Sequence, residues 1–201
     1  MGYTSDDIFI ELEIVGLTRG FLLQEIYILI LKEKSGNRLM PLIIEKSEFL
    51  RLKLALKHKG QSEVGLLLQL AQAYSIKLEH IILRAPKDGK TPASMFFVNE
   101  TMEKRKIDTE ASIAILTALE CKAPILTYQS LFNRQLGEQK PGGHLSVPIN
   151  VMSKQLITEA LNMAVKEEKF ELASLLRDEL KIRDSFIASQ NSDCENSEQL
   201  F

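Results

Sequence analysis

Ile8, Ile10, Leu12 and Ile14 recur at every second position, with Glu11 and Glu13 between them. That alternation predicts a half-buried strand over 8–15. Gly16-Leu17-Thr18-Arg19-Gly20 is expected to break it. Ile26 to Leu31 is a nearly unbroken apolar run, the pattern of a central strand covered on both faces. Ser35-Gly36-Asn37 has the composition of a turn. Arg38 to Ile44 reads as a third strand, and Pro41 puts it at a sheet edge or a bulge, because proline has no N–H for the ladder.

The period then changes. Ser47 is placed to cap a helix from Glu48 to about His58, with Glu48 near the positive end of the helix dipole. Gly60 stops that helix and Ser62 starts the next, from Glu63 to about Tyr74, with Leu66, Leu67, Leu70 and Ala73 as its apolar stripe. Ile76 to Leu83 is a strand, and Ala85 to Pro92 a loop. Met95–Val98 and Lys104–Ile107 form a hairpin pair. An apolar helix follows from about Glu110 to Glu120, then a short strand Ile125–Thr127 and a short helix Ser130–Leu136. Grouped strands with helices between them predict an α+β domain on a mixed β-sheet with packed helices, over residues 7–136.

Gly137, Pro141, Gly142, Gly143 and Pro148 mark residues 137–152 as a linker that supports no regular element. Residues 153–184 then read as a C-terminal α-helical hairpin. Residues 185–201 hold no Lys or Arg and are rich in Ser, Asn, Gln and acid, so they are expected to be a disordered tail.

Composition narrows the function classes. The 201 residues carry 25 Lys and Arg against 27 Asp and Glu, a formal net charge of -2, so no global basic field draws in nucleic acid or a membrane surface. Any nucleic-acid contact needs a local patch, for which Lys53, Lys57, His58 and Lys59, and the run Lys104-Arg105-Lys106, are the candidates. Cys121 and Cys194 are far apart in the chain, which fits a reducing compartment. No secretory pattern or apolar run long enough to cross a bilayer is present, so the expected location is the cytoplasm.

Ile107-Asp108, Ser112, the Ala/Ile/Leu-rich run after them and the closing Ala123-Pro124-Ile125 resemble the signature segment of the bacterial bifunctional nuclease family. Further similar blocks lie in the same order. They are Glu11 to Leu17, Arg38 to Ile44 followed by Glu48, and Glu63-Val64-Gly65-Leu66-Leu67 followed by the strand Lys77 to Leu83. The resemblance implies the family's fold and the hydrolysis of DNA or RNA with a divalent ion, Mg²⁺ or Mn²⁺. Carried over by position, it implies catalytic roles for Glu48, Asp108 and Ser112, with Glu48 and Asp108 as metal ligands. Read from the residues alone, Glu48 is a good first-turn helix residue and Asp108 an ordinary N-cap. The chain departs from the family pattern in chemistry. Val64 and Gly65 stand where the family carries His and Asp, Glu110 where it carries Arg, and Ile113 where it carries a second Asp.

Leu156 to Leu180 resembles the UVR motif of excinuclease subunits B and C, through Phe170, Glu171, Ala173, Arg177 and Asp178. That resemblance implies a helical hairpin that pairs with another UVR-bearing protein or with itself, through Phe170, Glu171, Arg177 and Asp178. A homo-oligomer is therefore expected. Three readings follow: an active nuclease, a relative weak or inactive as a nuclease that works through its UVR-like hairpin, and a small-ligand or regulatory domain on the same fold. The missing polar positions favour the second.

Overall fold

The computed structural model describes residues 8–19, 26–57, 63–87, 89–136, 139–140, 144–145, 149 and 152–195. The strands are β1 (Phe9–Arg19), β2 (Tyr27–Glu33), β3 (Leu39–Ile44), β4 (Lys77–Leu83), β5 (Pro92–Val98), β6 (Lys104–Glu110) and β7 (Ile125–Tyr128). The helices among them are α1 (Lys46–Lys57), α2 (Glu63–Ala73), α3 (Ala111–Cys121) and α4 (Gln129–Arg134). The expected α+β class is the one found. All seven strands form one mixed sheet in the order β3-β2-β1-β7-β4-β5-β6. Two antiparallel three-strand meanders, β1 to β3 and β4 to β6, are thus joined by β7. That strand pairs antiparallel with β1 and parallel with β4.

The hydrophobic pattern dictates which face is covered. Ile10 and Leu12 of β1, Leu29 and Leu31 of β2, Met40 and Leu42 of β3, Ile81 and Leu83 of β4, and Ala93 and Met95 of β5 point to one side. There they meet Phe49, Leu52 and Ala55 of α1 and Ala111, Ala114, Ile115 and Ala118 of α3 in one core. Glu11 and Glu13 face the other way, as the alternation requires, and pair with Lys34 and Lys32, each at 2.6 Å. Pro41 lies on β3, an edge strand, where its missing N–H costs no ladder bond. The opposite edge, β6, carries Lys104, Arg105, Lys106 and Asp108, charges that discourage pairing with a further strand.

Several sequence expectations need correction. Gly16 does not end β1. The strand continues to Arg19 through a register shift between Ile14 and Gly16, a bulge that a glycine accommodates. Ser47 is not the cap of α1, which begins at Lys46. Instead, Glu48 reaches back and accepts from the Glu45 N–H at 2.6 Å, half of a capping box. On α2 the expected core stripe is turned outward, with Leu66 at 71%, Leu67 at 66% and Leu70 at 58% exposure. Gly65 is buried, Val64 packs against the core, and Leu68 and Ala71 are half-buried. The helix is apolar on both sides, so two i, i+4, i+7 stripes compete, and the one with the small residues lies inward. Gly60 and Ser62, read as helix stop and start, lie outside the described residues.

Helix α3 ends on Lys122, which takes a left-handed φ of 56°. The Ala123 N–H then closes onto the Ala118 carbonyl at 2.9 Å, a Schellman-type ending held without glycine. The chain thus turns at once into Pro124 and β7.

The chain divides into two compact units, 1–151 and 152–201. Within the expected linker, β8 (Gln139–Lys140) and β9 (His144–Leu145) form a two-residue antiparallel ladder. Gly and Pro forbid long elements there, but not so short a pairing. Gly137, Pro141, Gly142, Gly143 and Pro148 lie outside the described residues.

The second unit holds α5 (Lys154–Lys166) and α6 (Phe170–Glu195), packed against each other as a hairpin. The Ser153 hydroxyl caps α5 by accepting from the Leu156 N–H at 3.2 Å. Among the residues whose burial is described, Ile157, Ala164, Ala173 and Leu176 are buried. Helix α6 runs on past Asp184, where the sequence placed the end of the hairpin, and residues 196–201 lie outside the described residues. No helix among the described residues is long and apolar enough to cross a membrane.

Candidate functional site

Glu48 and Ser112 are brought together. Glu48 lies in the first turn of α1 and Ser112 in the first turn of α3, and these helices pack side by side on the sheet. The Ser112 hydroxyl donates to Glu48 Oε1, while the Glu45 N–H donates to Glu48 Oε2. Both carboxylate oxygens are thus engaged by neighbours. The crevice beside them is lined by Arg51, Leu52, Ile113 and Leu116 and encloses about 10 Å³. That is space for about one water molecule. Ile113, 40% exposed, faces this crevice where the family pattern carries a carboxylate.

Asp108 is held apart from this pair. The sequence reads it as the N-cap of α3, but β6 continues through Glu110, and Glu110 occupies the cap position without a side-chain cap bond. Asp108 is instead a strand residue paired with Ser94 of β5. Ala93, Met95 and Phe97 join the core under the helices. By alternation, Ser94 and Asp108 lie on the opposite face of the sheet. There Ser94 Oγ donates to Asp108 Oδ1 at 2.7 Å. Lys106 Nζ and Arg84 Nη2 stand 3.2 and 3.4 Å from the same oxygen. The Ser94 hydrogen bond above all, with Lys106 and Arg84, holds the Asp108 carboxyl below the usual aspartate range.

A third cluster surrounds Lys90, in the loop before β5. Its ammonium lies 2.9 Å from Glu110 Oε1 and 3.9 Å from Glu45 Oε1. The hydrogen bond to Glu110, then the charges of Glu110, Glu45 and Glu48, push its pKa up. The positive charge that Glu110 displaces from the family's position therefore returns locally on Lys90. Neither Lys90 nor Arg84 stands out in the sequence, because each depends on a loop or strand end for its placement.

A divalent ion bound by Glu48 and Asp108 does not fit this arrangement. The two carboxylates lie on different sides of the sheet, and each is already engaged by protein donors or cations. Among the described residues, no group of three or more His, Cys, Asp and Glu side chains could hold a metal ion.

On the Asp108 face, His80 of β4 stacks on Phe96 of β5, with ring centroids 4.6 Å apart and planes 17° from parallel. Burial above all lowers the His80 pKa from its ordinary 6.5, and Lys104 adds to this against the opposing charge of Glu79. A depressed histidine pKa favours the neutral form in the fold. Its contribution is present above pH 6.5 and is lost as pH falls from there through the folded value. The melting temperature should therefore drop between pH 7.5 and 5.5, and His80→Phe, which keeps the stack but cannot titrate, should lessen that drop. An equal drop in both proteins would assign the pH dependence to other groups.

The hairpin residues singled out by the sequence all lie on α6. Phe170 opens the helix and is 68% exposed. Glu171, Arg177 and Asp178 are exposed, with Asp178 3.9 Å from Lys181 one turn on. In the basic clusters, Lys53 of α1 lies over the Phe49 ring, 5.9 Å from its centroid. His58 and Lys59 lie outside the described residues.

No curated protein matches the chain. A family model described as the bifunctional nuclease domain matches residues 29–140, more than half of the chain. The match runs from within β2 to the end of β8 and includes Glu48, Asp108 and Ser112. This chain belongs to the bifunctional nuclease domain family.

Proposed function

We propose that this protein is a nuclease-family member in which DNA or RNA hydrolysis is weak or absent, and that it works as an interaction protein through its C-terminal hairpin. One observation carries the reading: Glu48 and Asp108 are engaged by protein groups on different sides of the sheet. Phosphodiester hydrolysis needs a positioned water and groups aimed at the charge that develops on phosphate. Here the space beside Glu48 holds about one water, and Glu110 adds negative charge to the α3 N-terminus. The alternative, an active metal-dependent nuclease of the cytoplasm, draws support from the meeting of Glu48 and Ser112, two positions that the family resemblance singles out.

The hairpin supplies the positive half of the proposal. UVR-like in sequence, it leaves Phe170, Leu175 at 60% and Ile182 at 64% exposed on α6. Burying a large apolar side chain of this kind contributes roughly 1.5–3 kcal/mol, enough for a few of them to hold a partner hairpin. The partner is a second UVR-bearing chain or another copy of this one. Analytical ultracentrifugation of the full chain and of a chain ending at Asn150, alone and mixed with a UVR-bearing protein, tests this. Loss of self-association or of complex formation on truncation is expected. Equal sedimentation behaviour of the two chains in every mixture would remove the hairpin as the interaction surface.

A further inference from the structure

From Val64 to Ile76 the chain carries no charged residue. Most of this stretch is α2, which packs beside α3 with Val64, Gly65, Leu68 and Ala71 inward. Leu66, Leu67, Leu70 and Ala73 are left exposed, and Tyr74 follows them at 73% exposure. Leu67, Leu70 and Tyr74 stand three and four residues apart, which lines them up as one seam. That is the spacing by which two helices interlock. Leu66 and Ala73 flank the seam on one side. Just past it, the Ser75 hydroxyl donates to Glu100 in the turn between β5 and β6, a turn whose Met102 is 74% exposed. None of these residues belongs to the Glu48–Ser112 pair, the Asp108 cluster or the hairpin.

We infer that α2 is a self-docking surface, on which two copies of this chain pack α2 against α2 about a twofold axis. Charge decides for a copy over a different partner. A partner of either sign finds no counter-charge between Val64 and Ile76 to fix its register. A twofold contact requires only that the patch complement itself, and an uncharged leucine stripe meets its own copy without like-charge repulsion. Gln69 and Gln72, both exposed, are self-complementary too, because a side-chain amide donates and accepts at once. An aromatic residue with no Lys, Glu or Asp beside it is also the composition of an interface centre.

Area sets the strength. Leu66, Leu67, Leu70 and Tyr74 bring roughly 250–500 Å² per copy, so about 500–1,000 Å² between two, against roughly 1,200 Å² for a standard stable interface. The contact is therefore a reversible one that forms with rising concentration. With the axis near Leu70 and the helices antiparallel, Leu70 meets Leu70, and Leu67 of one copy meets Tyr74 of the other. This surface is separate from the hairpin and does not rest on it.

Sedimentation equilibrium of the full chain across micromolar to millimolar concentration tests the inference. It is run on the parent and in a Phe170→Ala, Leu175→Ala background, so that association through the hairpin registers separately. A concentration-dependent dimer is expected to persist in that background. Leu70→Glu and Leu70→Lys, introduced there one at a time, change an exposed side chain and should leave the melting temperature near that of the background protein. Each alone sets like charges against each other at the axis and should weaken the dimer by about tenfold or more. An equal mixture of the two should associate again, since Glu then faces Lys. Leu67→Ala with Tyr74→Ala, which removes apolar area without adding charge, should also weaken it by about tenfold. A monomer at every concentration in the hairpin-altered background, or a dimer unchanged by the α2 substitutions, overturns the inference. So does a mixture that stays dissociated, because α2 then meets some other surface than its own copy.

Discussion

Phe132→Ala should lower the stability of the α+β unit by about 3–5 kcal/mol, the range for removing a large aromatic from a packed core. Phe132 sits on α4, a helix of only six residues, and its side chain is fully buried among the core residues. The Arg38 guanidinium lies 4.9 Å from its ring centroid and is fixed there by Glu33 and Asn133. Alanine would leave both a cavity and an arginine without the ring beneath it. Because α4 is too short to be stable on its own, its position depends on this anchor. Urea unfolding followed by circular dichroism measures the effect. A loss below about 1 kcal/mol would mean that α4 is a surface appendage that the core does not need.

The second large effect is a rate that should be missing. Incubated with single- or double-stranded DNA or RNA and Mg²⁺ or Mn²⁺, the purified protein should cleave at or near background. Removing one group that stabilises developing charge costs about 10²–10³ in rate, and several family positions are changed here. Val64 and Gly65 supply no acid, base or cation. Ile113 puts an apolar side chain beside Glu48, and Glu110 is paired with Lys90. Glu48→Ala and Asp108→Ala should therefore leave the background unchanged. Metal-dependent cleavage that both substitutions abolish would make the two carboxylates catalytic and reverse the proposal.

Much of the fold is legible in the sequence because burial has a period. The Ile10/Leu12/Ile14 alternation places β1, the run from Ile26 to Leu31 places β2 inside the sheet, and Pro41 leaves β3 a sheet edge or a bulge, of which the edge is the one found. The readings that fail are those where a local rule has two solutions. Helix α2 has apolar residues on both sides, and only the α3 surface decides which side is covered. Gly16 serves equally as a strand end or a bulge, and the partner strand β2 decides. At the candidate site, Glu48 and Ser112 are 64 residues apart, and their meeting rests on packing that no local pattern reports. Family resemblance points to both positions; composition does not. Asp108 shows the opposite problem. Two further strand residues after it turn a helix cap into a side chain on the far face of the sheet. The His80–Phe96 stack depends on the β4–β5 register, which includes a shift between Leu78 and His80.

The four residues of β7 bear on how the protein is made. Until the ribosome has released Ile125 to Tyr128, β1 and β4 each present an edge with no neighbour, and neither meander can complete the sheet. The nascent chain must hold two incomplete halves through the whole of β5, β6 and α3. Closure then occurs in one late step between segments more than a hundred residues apart in the case of β1 and β7. Such long-range pairing is slow, and the exposed edges are prone to join those of neighbouring chains in the interval. Lys122 and Pro124, which turn the chain from α3 straight into β7, shorten that interval by delivering the closing strand as soon as its helix has packed.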